Sequence, residues 1–124
     1  MNKTLKKEFE IWFDKAEEDL DTAKYNLSGG KIGAGLFFLQ QSVEKALKAL
    51  HMKKSNELLK THDLILLSRK VNAPKNIIEM CRKISPAYSY TRYPDVEGVE
   101  NLEEISDDLL ECSEKVLKWI KEQL

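Results

Sequence analysis

A tyrosine-rich stretch in the second half of the chain holds the residue types best suited to bind a phosphate group. Residues 87–95 read AYSYTRYPD and include three of the four tyrosines in the chain. The guanidinium of Arg92 is planar and always charged, which suits phosphate oxygens, and tyrosines beside it can stack on a base. Alternatively, the tyrosines pack one end of a helical domain and Arg92 pairs with Asp95 or a helix C-terminus. Both interpretations are open at this point.

A second candidate is the sequence KTHDL at residues 60–64, because it contains one of only two histidines in the chain. His62 could act as a general acid or base or bind an anion. It could equally be a histidine of a helix cap, held by a backbone carbonyl. The other histidine, His51, falls near the end of a predicted helix, where a cation is favourable.

Charge is distributed unevenly, although the net charge is only −1. Residues 45–83 contain ten Lys/Arg against three Asp/Glu, whereas residues 95–114 contain nine Asp/Glu and no Lys/Arg. The basic middle and the acidic end could attract each other within the chain or between subunits. Alternatively, the basic middle meets a phosphate-bearing partner.

Apolar residues recur at steps of three and four along most of the chain, which predicts helices and no strand. The predicted helices span about 5–27, about 32–52, a short stretch with Thr61 as N-cap, another from about Pro74 to before Pro86, and about 102 to the end. Lengths and turns favour one all-α domain over residues 1–124, an antiparallel bundle of about five helices with a four-helix up-and-down core.

The second predicted helix changes character along its length. Its first half is apolar nearly all round at residues 36–39, so it must be covered on two sides, by its own bundle and by a second subunit. In its second half, Gln41, Glu44, Lys45 and Lys48 fall on a neighbouring face. The first feature predicts a homodimer, and the second predicts a polar surface beside the interface.

Other features narrow the class of protein. The longest apolar run is far too short to span a bilayer and the N-terminus does not read as a signal peptide, so a cytoplasmic location is expected. Cys81 and Cys112 lie far apart in helical patterns, which is typical of buried small residues. With two histidines and no Cys/His cluster, neither a metal site nor a cofactor is expected.

Four pieces of sequence in this order and spacing resemble the HEPN domain family, over about residues 8–124. They are Trp12, Ala16, Asp19-Leu20 and Ala23 in the first helix; Ala34, Phe37-Phe38 and QQSVEKALKAL from Gln40 in the second; KTHDL from Lys60; and YTRYPD from Tyr90. The resemblance implies a bundle of about five helices that forms a homodimer. It also implies pairing with a small nucleotidyltransferase in toxin–antitoxin-like modules.

Some HEPN proteins are metal-independent ribonucleases whose motif is an arginine, a polar residue, then a histidine four to six positions after the arginine. This sequence departs from that motif, because its arginines are Arg69, Arg82 and Arg92 and no histidine follows any of them. The resemblance therefore assigns no catalytic residue. The matching branch of the family has Gln41, Glu44, Lys45, His62, Arg92 and Asp95, which suggests nucleotide or partner binding.

The leading hypothesis is a non-catalytic, dimeric HEPN-like module that binds a nucleotide or RNA phosphate and partners a nucleotidyltransferase. The predicted ligand-binding residues are Gln41, Lys45, Lys48, His62, Tyr90, Arg92, Tyr93 and Asp95. An anion must lie among the cations of this set, and it is either Glu44 or Asp95, or a bound phosphate. One alternative is a ribonuclease with His62 as acid or base and Arg92 stabilising the phosphorane charge. Another is a purely structural interaction protein.

Overall fold

A computed structural model of the chain describes residues 7–86 and 102–124, and these residues form five helices with no strand. The helices are α1 (Glu8–Ser28), α2 (Ile32–Ser55), α3 (Leu64–Lys70), α4 (Lys75–Ile84) and α5 (Leu102–Gln123). The predicted all-α class is confirmed. None of the described helices is both long and apolar enough to cross a membrane.

A tight turn joins α1 and α2 into an antiparallel hairpin. Gly30 has a φ of 79°, a left-handed conformation that glycine adopts without steric cost. The two helices then approach closely, because a Cβ at Gly35 would lie 2.4 Å from Cδ2 of Leu27. Further along, the hydroxyl of Ser42 donates to the carbonyl of Ala16 at 2.7 Å. These contacts fix which side chains of α1 face α2.

The remaining helices complete the up-and-down core. Exposed ion pairs link Lys24 to Glu114 at 2.9 Å and Glu17 to Lys121 at 3.6 Å, so α5 runs antiparallel to α1. Exposed pairs like these add about 0–1 kcal/mol each to stability, so they report helix direction more than they stabilise the fold. The stabilising contribution comes from the core that α1, α2, α4 and α5 share.

The central helix of this core is α2. Fourteen of its 24 residues are buried, and they include the fully buried Leu36, Leu39, Leu47 and Leu50. Of residues 36–39, Leu36 and Leu39 are fully buried within their own chain, whereas Phe37 is 38% exposed. Coverage of this stretch by a second subunit stays a prediction. A helix with so little solvent-facing surface also forces polar side chains into the interior.

The short helix α3 starts two residues later than predicted. Asp63, and not Thr61, is its N-cap, because Oδ1 of Asp63 accepts from the backbone N–H of Ile65 at 3.0 Å and of Leu66 at 3.1 Å. Aspartate ranks above threonine as an N-cap residue. The hydroxyl of Thr61 instead accepts from the N–H of Asp63 at 3.1 Å. Together these bonds hold the chain on either side of His62.

Trp12 and Trp119 pack against the core from half-buried positions. The prediction that both cysteines are buried is confirmed. Cys81 and Cys112 are both buried free thiols, and burial raises the pKa of Cys81 to about 12. The Cys81 thiol is therefore protonated at neutral pH and behaves as a small apolar side chain.

Candidate functional site

Four polar side chains lie along one buried face of α2. They are Gln40, Glu44, Lys48 and His51, at steps of four, four and three, and none is more than 7% exposed. We call this set the polar stripe. Burying a charge without a partner costs several kcal/mol. The charged members of the stripe therefore need partners nearby.

Glu44 is the centre of the stripe and accepts three hydrogen bonds. Its Oε1 accepts from Nε2 of Gln40 at 3.0 Å, its Oε2 accepts from Nζ of Lys48 at 2.9 Å, and Nδ1 of His62 lies 3.0 Å from Oε1. Burial by itself would raise the pKa of Glu44, but the bonds from Lys48, Gln40 and His62 hold the pKa below its ordinary value of 4.5. Glu44 is therefore ionised at neutral pH.

His62 connects this buried carboxylate to the surface. Its imidazole side chain is 63% exposed, although Nδ1 is 3.0 Å and 3.2 Å from the two oxygens of Glu44. The next residue, Asp63, is the N-cap of α3, which fixes the backbone at this point. A carboxylate that orients an exposed imidazole suits proton transfer or anion binding. His62 is thus the described residue best placed for chemistry.

A second ion pair lies beside the stripe and joins α1 to α2. Nζ of Lys45 is 2.5 Å from Oδ2 of Asp19, whose side chain is only 5% exposed. Nε2 of Gln41 donates to Oε1 of Gln40 at 2.8 Å, which extends the hydrogen bonds of Glu44 towards Lys45. Neither Asp19 nor Gln40 was predicted as a partner of these side chains. The available signal was the position of Asp19 on the apolar stripe of α1, where a carboxylate requires a buried partner.

The predicted ligand-binding residues are brought together only in part. Lys48 and His62 meet at Glu44, and Gln41 reaches them through Gln40. Tyr90, Arg92, Tyr93 and Asp95 lie outside the described residues. For Lys48 the neighbouring anion is Glu44, one of the two structural alternatives. For Lys45 it is Asp19, which was not among the predicted partners.

His51 lies inside the bundle near the end of α2. It is 6% exposed, and neither ring nitrogen has a hydrogen-bond partner among the described residues. The interpretation as a favourable cation at the helix C-terminus stays a prediction. Asn56 ends α2, with a left-handed φ of 53° and its N–H on the carbonyl of Met52. Across residues 7–86 and 102–124, no three His, Cys, Asp or Glu residues could together hold a metal ion.

Comparison with known proteins identifies the family. The model of the HEPN domain matches residues 9–123. The chain belongs to the HEPN domain family. Its fold is similar to the crystal structure of TT1696 from Thermus thermophilus, with a TM-score of 0.82 and 25% identity over 94% of this chain and 98% of the other.

Two further solved structures share the fold. An archaeal HEPN homologue, ST0689, is 31% identical and has a TM-score of 0.76, over 95% of this chain and 98% of the other. A HEPN domain protein from Thermotoga maritima, 19% identical, has a TM-score of 0.74 over 90% and 95% of the two chains. No curated protein matches the chain.

Replacing Glu44 by glutamine tests the partnership at the polar stripe. At pH 7 the change should lower the free energy of unfolding by about 3 kcal/mol, because it leaves Lys48 charged and buried without a carboxylate. The folded-state pKa of Glu44 is below 4.5, so its contribution is present above that pH and is lost as the pH falls further. Urea unfolding from pH 3 to pH 7 should therefore show the gap between wild type and Glu44→Gln narrowing below about pH 4.5.

The matched control is Glu18→Gln. Glu18 contacts Lys15 at 3.3 Å, but both side chains are more than half exposed. The control should change stability by less than about 1 kcal/mol at every pH. Equal effects of the two substitutions would refute the buried role of Glu44.

Proposed function

We propose that this chain is a non-catalytic, dimeric HEPN module that binds the phosphate of a nucleotide or RNA and partners a small nucleotidyltransferase in a toxin–antitoxin-like system. The observation that carries the binding part is His62, an exposed imidazole oriented by the buried carboxylate of Glu44. Family membership supports the nucleotidyltransferase partner and the dimer. A non-catalytic role is supported by the absence of the ribonuclease motif of the family, in which a histidine follows an arginine by four to six positions.

The charges around His62 favour modest affinity for a phosphate. Lys45 and Lys48 both lie near the proposed site, but each is already paired with a carboxylate. A phosphate at His62 therefore gains little attraction from either lysine. Arg92, outside the described residues, is the further cation that the proposal assigns to the site.

The homodimer is supported by apolar side chains that one chain leaves uncovered along the α1–α2 hairpin. Phe37 is 38% exposed, and its ring meets that of Phe38 edge-to-face at 5.2 Å between centroids. Phe38 and Lys45 are seven residues apart and share one face of α2. Lys45 in turn lines a shallow, mainly apolar depression of about 170 Å³ with Ile11 and Trp12. We call Ile11, Trp12, Phe37 and Phe38 the apolar strip, and propose that a second copy covers it.

Replacing Phe37 by glutamate should separate the dimer, because the change places a carboxylate in the proposed interface at the expense of a large apolar contact. Light scattering should give the mass of two chains for wild type and of one chain for Phe37→Glu, with unchanged helical circular dichroism. The control is Leu66→Glu on α3, where the wild-type residue is 42% exposed, and it should leave the dimer intact. A monomeric wild type, or a dimeric Phe37→Glu protein, would contradict the proposal.

One observation favours a second candidate, a metal-independent ribonuclease with a rearranged site. The contact between Glu44 and His62 orients one ring nitrogen, as carboxylates do for histidines that act as general acids or bases. In this alternative His62 transfers the proton and Arg92 stabilises the charge on the phosphorane. It differs from the leading proposal in one measurable respect, the cleavage of RNA.

Binding and cleavage measured side by side separate the candidates. A fluorescent ATP analogue and a labelled 20-nucleotide RNA should bind wild type, RNA should stay intact, and His62→Ala should weaken ATP binding at least about fivefold. Lys31→Ala, which removes an exposed cation at the other end of α2, should leave binding unchanged.

If wild type cleaves the RNA and His62→Ala does not, the ribonuclease replaces the leading proposal. A wild type that neither binds nor cleaves would leave a structural interaction protein.

A further inference from the structure

A second region of positive charge lies away from the polar stripe. Residues 53–75 contain six Lys/Arg, against only two carboxylates, Glu57 and Asp63. The carboxylate of Asp63 is engaged in capping the start of α3. Positive charge therefore accumulates towards the opposite end of α3.

Three helix ends gather four of these cations. Nζ of Lys54 donates to the carbonyl of Val71 at 2.9 Å, which joins the end of α2 to the end of α3. Arg69 and Lys70 are the last two residues of α3, and Lys75 is the first residue of α4. A turn of only four residues separates α3 from α4. We call Lys54, Arg69, Lys70 and Lys75 the basic end.

The cations of the basic end differ from most of the other described cations in having no carboxylate partner. All four side chains are exposed, and none forms an ion pair with a described residue. Elsewhere on α4, Arg82 pairs with Glu79 at 3.4 Å and Lys83 pairs with Asp108 of α5 at 3.7 Å. The basic end is therefore a local excess of positive charge on a chain whose net charge is −1.

We propose that the basic end is a docking surface for the phosphate backbone of single-stranded RNA. Exposed cations spread over three helix ends suit a flexible polyanion, whose successive phosphates contact them one by one. The basic end also supplies the attraction that the paired Lys45 and Lys48 do not provide to a ligand at His62. His62 lies just before α3, and Arg69 and Lys70 are its last two residues. The seven residues of α3 span about 10 Å, a separation that a polynucleotide bridges and a single nucleotide does not.

This inference takes from the proposed function only that the ligand carries phosphate. It adds that the ligand is a polynucleotide and not a mononucleotide. The test is Arg69→Glu/Lys70→Glu, with Lys24→Glu/Lys31→Glu as the control. Both double variants change the net charge equally, but Lys24 and Lys31 flank the turn between α1 and α2, at the far end of the hairpin. The probes are a labelled 20-nucleotide single-stranded RNA and a fluorescent ATP analogue, from about 50 to about 300 mM KCl, a range over which phosphate contacts change affinity measurably.

The basic-end variant should bind the RNA at least about tenfold more weakly at about 0.1 M KCl, with a salt slope shallower by about 1.4 for two lost phosphate contacts. The control should stay within about twofold of wild type, and both variants should bind ATP as wild type does. Lys75→Glu gives a smaller loss in the same direction. That change is safe for folding, because an acidic residue in the first turn of α4 is favourable.

Equal losses in the two double variants would overturn the inference, since only net charge would then matter. Tighter binding to phosphatidylserine vesicles than to RNA would also overturn it and assign the basic end to a lipid surface. ATP binding that depends on His62, with RNA binding indifferent to the basic end, would refute the inference and leave the proposed function standing. RNA binding that depends on the basic end but is unchanged in His62→Ala, without ATP binding, would support the inference and refute the binding role proposed for His62.

Discussion

The buried carboxylate of Glu44 is the constraint on which the described part of the site depends. Because α2 is central to the bundle, the polar residues on its buried face cannot turn to solvent and must find partners inside. Gln40 and Lys48 come from neighbouring turns of the same helix, and His62 comes from the segment before α3. Satisfying Glu44 therefore also fixes the segment that carries His62. Stability and the placement of the exposed imidazole have one physical cause.

The same pairing decides how charge is distributed over the molecule. Two carboxylates, Asp19 and Glu44, neutralise Lys45 and Lys48, so the region around His62 has little excess charge. The cations of the basic end lie further along, where α2 and α3 end and α4 begins. The two proposals thus assign different roles to the two regions. His62 orients the ligand, and the basic end attracts it over a longer range.

The fold could be predicted from the sequence because apolar periodicity reports which face of each helix is buried. It does not report which residue lies opposite. Lys45 and Asp19 are 26 positions apart, and only the packing of the hairpin brings them together. For the same reason, periodicity showed that residues 36–39 are apolar all round but could not separate Leu36 and Leu39, enclosed by their own chain, from the exposed Phe37.

The candidate site was predictable to a smaller extent. Helical spacing placed Gln41, Lys45 and Lys48 on one face of α2, and the expectation that this face lies beside His62 is met at Lys48, which shares Glu44 with His62. Their hydrogen-bond partners could be found only from the tertiary structure, as could the burial of His51, whose ring nitrogens have no partner in the part of the chain that the structure describes. Tyr90, Arg92, Tyr93 and Asp95 stay predictions.

A double-mutant cycle of Glu44→Met and Lys48→Met tests the central claim most directly. Each single change leaves one buried charge without its main partner, whereas the double change removes both charges and keeps apolar volume. The account predicts that urea unfolding at pH 7 gives a double variant at least about 2 kcal/mol more stable than the sum of the single effects. Additivity within about 0.5 kcal/mol would contradict it, because Glu44 and Lys48 would then not depend on each other.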